Sequence, residues 1–153
     1  MSGAVRIPAW RYPLLVPYNG FTGLERARGA QLIWWAVKAG ILQKSDRCSI
    51  CGKPPSRLQF HSEDYYDPLH PHAICATCHM LLHRRFRSPA PWQTLVAKHA
   101  RAGAWFMDLD LTPINLASEL RGLHGEETAD ILARLVAQLP PDAPRPIGSL
   151  VQG

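Results

Sequence analysis

The sequence has no apolar run long enough to cross a membrane. Its longest uninterrupted run, Leu32 to Val37, falls far short of the roughly 20 residues that a membrane helix needs. The N-terminus also lacks the basic segment and unbroken apolar stretch of a signal peptide, because Pro8, Pro13 and Pro17 interrupt it. These two absences predict a cytoplasmic protein.

Acidic residues are scarce in the first two-thirds of the chain. Residues 1–103 hold 14 of the 17 lysines and arginines but only 5 of the 12 acidic residues, a net charge of +9, whereas residues 104–153 carry −4. The basic first two-thirds of the chain suits a polyanion such as nucleic acid, although an ordinary solvated surface can have the same composition. At 46% hydrophobic residues, the chain can bury one core, which excludes wholesale disorder.

The spacing of apolar residues predicts an α+β fold that is mostly helical, with one β-hairpin and a zinc-centred core. A length of 153 residues favours one domain, predicted over 1–139, with a mobile, proline-rich tail at 140–153. The domain is predicted to contain an extended arm at 1–21, a helix at 22–40, a zinc treble clef at 46–87 and C-terminal helices at 91–139.

Two of the predicted helices carry clear local signals. Thr22 and Glu25 match a capping box, in which each side chain bonds the other residue's backbone N–H. Gly125 to Leu139 has the most regular amphipathic pattern and is predicted as a single helix.

The four cysteines form two CxxC pairs separated by 23 residues, Cys48 with Cys51 and Cys75 with Cys78. Each pair can present two thiolates to one ion, and structural zinc prefers four such ligands in a tetrahedron. Gly52 suits the turn of a zinc knuckle. A knuckle, then a hairpin, then a helix that carries the last two ligands describes a treble clef.

Three other interpretations of the cysteines are open. Two disulfides would suit a secreted chain, and no secretory signal is present. Cys75 to His79 matches the CxxCH string of haem attachment, which leaves Cys48 and Cys51 unexplained. A redox CxxC would need only one pair. Structural Zn²⁺ is therefore the favoured prediction.

Six of the seven histidines lie between residues 61 and 99, and three of them could meet. His79 and His83 are four positions apart on the predicted helix and share a face. With His61 at the end of a strand beside that face, three imidazoles could hold a second divalent ion such as Mg²⁺, Mn²⁺ or Zn²⁺. The three histidines could equally serve only to pack and to form hydrogen bonds around the zinc site.

The run from His61-Ser-Glu-Asp-Tyr through Cys75-Ala-Thr-Cys78-His79 to His83, with a CxxC upstream, resembles the zinc-containing branch of HNH endonucleases. The resemblance covers residues 46–87, about a quarter of the chain. It implies a ββα-metal site inside a treble clef, where one divalent ion neutralises charge on the scissile phosphate and a histidine acts as general base.

Position by position, the resemblance implies that His79 and His61 hold the catalytic metal, with His83 as a third candidate. The family's general base falls on Ser62, and its middle asparagine falls on His70. Serine has no pKa near neutrality and takes a proton from water poorly. The same helix continues with three arginines that would hold the phosphate backbone, Arg84, Arg85 and Arg87.

The sequence therefore predicts a zinc-binding, HNH-type nucleic-acid-binding protein, with DNA the favoured partner and endonuclease activity open. One alternative is a non-catalytic zinc module for DNA or RNA. Another is a protein-interaction adaptor with a purely structural zinc, in which the acidic C-terminal helices form the docking face.

Overall fold

The computed structural model describes residues 3–54 and 57–153. Within these ranges the fold is α+β, as predicted, with five α-helices, one short 3-10 helix and two pairs of strands. Over the same residues, every helix is too short or too polar to cross a membrane.

The elements follow one another in this order: β1 (Ala4–Arg6), α1 (Gly23–Lys38), β2 (Leu58–His61), β3 (His72–Cys75), α2 (Ala76–Arg84), α3 (Pro89–His99), α4 (Leu116–His124), the 3-10 helix (Glu126–Ala129), α5 (Ile131–Gln138) and β4 (Arg145–Ile147).

The chain groups into two compact units. The first, called here the terminal unit, comprises Met1–Gln43, Ser62–Pro71 and Asn115–Gly153. The second, called the cysteine–histidine unit, comprises Lys44–His61 and His72–Ile114. All four cysteines and the three clustered histidines belong to the second unit.

In the terminal unit, α1 begins with the capping box that the sequence predicts. The Thr22 hydroxyl accepts from the Glu25 N–H at 3.1 Å, and Glu25 Oε1 accepts from the Thr22 N–H at 3.0 Å. The other carboxylate oxygen of Glu25 accepts from the buried hydroxyl of Tyr66 at 2.5 Å. Burial, followed by this bond to Glu25, raises the pKa of Tyr66 to about 12.

The C-terminal tail, residues 140–153, which the sequence predicts to be mobile, contains a short strand and contacts made far away in the sequence. Strand β4 pairs in parallel with β1, so part of the predicted arm also has regular structure. The Val151 N–H donates to Gln31 Oε1 at 2.8 Å. These backbone groups find partners far away in sequence, which local composition does not reveal.

The predicted helix Gly125 to Leu139 is divided in two. A 3-10 turn occupies Glu126–Ala129, and α5 starts only after Asp130, whose carboxylate accepts from the Ala133 N–H at 3.4 Å. Aspartate can accept a hydrogen bond from a nearby backbone N–H, so Asp130 favours the N-cap of a helix over its interior, and the predicted helix is interrupted there.

In the cysteine–histidine unit, β2 and β3 form the predicted antiparallel pair. Their register places Gln59 opposite Ile74 and His61 opposite His72. Alternate residues of a strand share a face, so Gln59 and His61 lie on the same side of the pair. Helix α2 follows β3 directly and packs against both strands.

Candidate metal centres

The structure brings all four cysteines together as the sequence predicts, in a group called here the cysteine cluster. Cys48 and Cys51 come from a turn, Cys75 ends β3, and Cys78 lies in the first turn of α2. Their sulfur atoms all lie within 4.8 Å of one another. The cluster could therefore hold a metal ion.

The sulfur spacing is compatible with tetrahedral zinc, and the structure shows all four cysteines as free thiols. A zinc–sulfur bond of about 2.3 Å puts sulfurs on a tetrahedron roughly 3.8 Å apart. The Cys51 and Cys75 sulfurs are 4.0 Å apart, about twice the length of a disulfide bond. All four cysteines are free, and Cys48 and Cys78 are buried.

The turn that holds Cys48 and Cys51 is tight and ends in a glycine with positive φ. The Gly52 N–H donates to the Cys48 carbonyl at 2.9 Å. Gly52 has a φ of +74°, a backbone conformation that would be strained in a residue with a side chain. The Ile50 N–H points at the Cys48 sulfur at 3.4 Å. On α2 the Cys78 N–H makes the same contact with the Cys75 sulfur, so Cys75 also caps the helix.

The thiols have unequal acidities. Burial alone would raise the pKa of Cys48. Backbone N–H groups that donate hydrogen bonds to its sulfur outweigh this effect and lower the pKa to about 7. Burial and the neighbouring sulfurs raise the pKa of Cys78, and burial raises that of Cys51. A cation bound among the four would favour all the thiolates at once, since zinc is bound by thiolate rather than thiol.

Two residues that no sequence motif marks, Arg101 and Trp105, hold the turn between Cys48 and Cys51 in place. The Arg101 guanidinium donates to the carbonyls of Ser49 and Ile50. The indole N–H of Trp105 donates to the Ser49 hydroxyl at 3.1 Å. Both come from about 50 residues downstream in the sequence, so no local pattern marks them.

The predicted convergence of three histidines is also present, and His61, His79 and His83 are called here the histidine cluster. One ring nitrogen of each lies within 4.8 Å of the others, so this group could hold an ion as well. The Nε2 atoms of His79 and His83 are 3.0 Å apart. Zinc–nitrogen bonds of about 2.0–2.1 Å place tetrahedral ligands roughly 3.3 Å apart, close to this spacing.

The surroundings of the histidine cluster are apolar on one side and polar on the other. His61 is 1% exposed, and its ring stacks near the Trp105 indole with centroids 6.0 Å apart. His72, opposite His61 on β3, stacks flat on the same indole at 3.8 Å. On the other side, Gln59 Oε1 lies 2.6 Å from His79 Nδ1.

Two further positions from the HNH resemblance lie in the terminal unit. His70, at the place of the family's middle asparagine, is exposed and pairs with Asp67 at 2.8 Å. Ser62, at the place of the general base, is buried.

The three arginines predicted to contact phosphate are not equivalent. Arg84 and Arg87 are exposed, but Arg85 is 0% exposed. Its guanidinium donates to the carbonyls of Asp110 at 2.7 Å and Leu82 at 2.9 Å. Position 85 continues the buried face of α2, three residues after Leu82, so Arg85 is corrected from a nucleic-acid contact to a structural residue.

Comparison with protein-family models, with curated proteins and with solved structures gave no match to this chain.

Proposed function

We propose that this protein is an HNH-type nucleic-acid-binding protein with a structural Zn²⁺ in the cysteine cluster and a second divalent ion in the histidine cluster, able to hydrolyse phosphodiester bonds. The observation that carries the proposal is the shared helix. Helix α2 supplies Cys78 to one cluster and His79 and His83 to the other. The paired strands β2 and β3 supply His61 and Cys75.

This arrangement supports a ββα-metal site within a treble clef. Two antiparallel strands lead directly into the helix, and a knuckle provides the first two cysteines. The order of these parts matches the resemblance to zinc-containing HNH endonucleases, in which the strand and the helix hold the catalytic metal.

The donor set favours particular ions in the histidine cluster. Among residues 3–54 and 57–153 the cluster offers three imidazoles and no carboxylate, which suits Zn²⁺, Ni²⁺ or Co²⁺ better than Mg²⁺, since Mg²⁺ prefers oxygen ligands. Three protein ligands also leave a coordination position open, as in catalytic rather than structural zinc sites. A bound ion would supply charge relief at a phosphate and a water of lowered pKa.

The charge distribution supports a polyanionic partner. The cysteine–histidine unit holds nine basic and three acidic residues, a net charge of +6, whereas the terminal unit holds eight basic and nine acidic residues, a net charge of −1. The positive charge is thus concentrated on the unit that carries both clusters. A phosphate backbone is the common biological ligand of such a surface.

The two exposed arginines at and just after the end of α2, Arg84 and Arg87, make the nucleic-acid part testable. Each phosphate that they neutralise releases counterions, so we expect their contacts to contribute about −2 to the log–log salt slope on duplex DNA. Arg84→Ala and Arg87→Ala should each remove roughly one unit. The measurement is fluorescence anisotropy of a labelled duplex over a series of salt concentrations.

The matched control is Arg11→Ala, which removes an exposed arginine from the terminal unit. It should leave the slope almost unchanged. Absence of binding at low salt, or equal slopes in all four proteins, would contradict the phosphate role and favour a protein-interaction adaptor.

A second candidate is a non-catalytic zinc module for DNA or RNA. The observation in its favour is Ser62, which stands where the family has its general base and cannot readily take a proton from water. Plasmid nicking with a series of divalent ions separates the two functions. Nicking that needs an added ion supports the nuclease, and binding without nicking supports the module.

A further inference from the structure

Gln59 lies on the same face of the paired strands as a histidine of the cluster. It is two residues before His61 on β2, and its Oε1 atom is 2.6 Å from Nδ1 of His79 on α2. Strand β2 thus carries His61, which belongs to the cluster, and Gln59, which does not belong to it but contacts His79.

We infer that Gln59 is a positioning residue for the second metal, because it fixes the tautomer and ring orientation of His79; this inference rests on the metal site proposed above. An amide oxygen only accepts hydrogen bonds, so His79 Nδ1 carries the proton. The lone pair is then on Nε2. That atom lies 3.0 Å from Nε2 of His83, inside the cluster.

The same contact makes His79 a better ligand. A histidine that binds a metal through one ring nitrogen usually donates its other N–H to a carbonyl or carboxylate, which holds the ring and raises its basicity. His79 has this arrangement with the side-chain oxygen of Gln59. An incoming cation would meet a lone pair already directed into the cluster, in place of the contact that His79 Nε2 makes with His83 Nε2.

Glutamine at position 59 also keeps an additional negative charge away from the histidine cluster. A carboxylate at position 59 would make the same bond and add a negative charge beside the site. Gln59 therefore orients His79 while the cluster keeps a donor set of neutral imidazoles. Removal of such an outer partner typically weakens metal binding 10- to 100-fold.

Three variants separate positioning from general packing. Gln59→Leu keeps the approximate size and removes the acceptor. Gln59→Glu keeps the acceptor. Gln93→Leu is the matched control, because it makes the same change at an exposed position of α3 in the same unit.

The first measurement is a competition titration of the full chain with Zn²⁺ and Co²⁺, with one zinc per chain retained in the cysteine cluster. We expect Gln59→Leu to weaken binding of the second ion 10- to 100-fold. Gln59→Glu should bind at least as tightly as the wild type, and Gln93→Leu should be unchanged.

The second measurement is nitrogen-15 NMR of histidine-labelled protein before the second ion is added. We expect His79 in the wild type to be protonated on Nδ1 and unprotonated on Nε2, and Gln59→Leu to lose this preference. This reading does not depend on any catalytic activity or on the second ion.

The outcomes distinguish this inference from the proposed function. If Gln59→Leu binds the second ion as tightly as the wild type, the inference is wrong while the metal site stands. If the wild type binds no second ion, the proposed metal site fails and this inference fails with it, and the NMR tautomer then shows only whether Gln59 orients the His79 ring. A proton on Nε2 of His79 would mean that the amide of Gln59 donates rather than accepts, and would overturn the inference.

Discussion

Cys75→Ser should unfold the cysteine–histidine unit rather than disturb it locally. Cys75 has three structural roles: it belongs to the cysteine cluster, it pairs with Leu58 at the end of β3, and its sulfur caps α2 by accepting from the Cys78 N–H. A closed four-cysteine zinc site couples metal binding to folding by on the order of 10 kcal/mol. That is comparable to the whole stability of a domain, roughly 5–15 kcal/mol.

The measurement combines zinc content per chain with circular dichroism during heating, before and after a strong chelator. The wild type should hold one tightly bound zinc and lose its cooperative transition when the zinc is removed. Thr77→Ser is the matched control, since it changes an exposed residue of the same helical turn that is no ligand. A zinc-free wild type with a cooperative transition that the chelator does not alter would refute a structural zinc.

The cysteine cluster could be predicted because its information is local. Two CxxC pairs each bring two sulfurs together through one turn, and only the meeting of the pairs needs the tertiary fold. The helical spacing of His79 and His83 is local in the same way. Placing His61 beside them required the strand that the sequence also predicts.

The parts that could not be predicted depend on long-range contacts. In the sequence, Arg85 is one of three nearby arginines. In the structure its buried guanidinium donates to a backbone carbonyl 25 residues away, which the local sequence does not indicate. Gln59 has no distinguishing neighbours in sequence, and its contact with His79 exists only because α2 packs on β2. The parallel pairing of β1 with β4 joins the two ends of the chain, which no local pattern encodes.

His79→Ala should abolish phosphodiester cleavage while the zinc of the cysteine cluster is kept. His79 belongs to the histidine cluster, and its Nε2 is 3.0 Å from Nε2 of His83. Without it, only two of the three imidazoles remain to hold the second ion. Because the cysteine cluster is formed by other side chains, the zinc content and the thermal transition should stay close to those of the wild type.

Ser62→His should act in the opposite direction. A general base typically contributes ~10²–10⁴ in rate, so the wild type, with serine at that position, should nick DNA slowly and only with an added divalent ion. A histidine directly after His61 restores the pair that the HNH resemblance implies. We expect it to raise the rate of nicking by up to that factor, with the metal requirement unchanged.

Plasmid nicking by wild type, His79→Ala and Ser62→His at equal zinc content tests both changes together. The series should include Mg²⁺, Mn²⁺, Co²⁺, Ni²⁺ and Zn²⁺, because three imidazoles favour the later transition metals over Mg²⁺. Activity that persists in His79→Ala would place the chemistry outside the histidine cluster. Absence of nicking by both wild type and Ser62→His with every ion would leave the two clusters as the scaffold of a binding module, since the site would then lack more than the base at position 62.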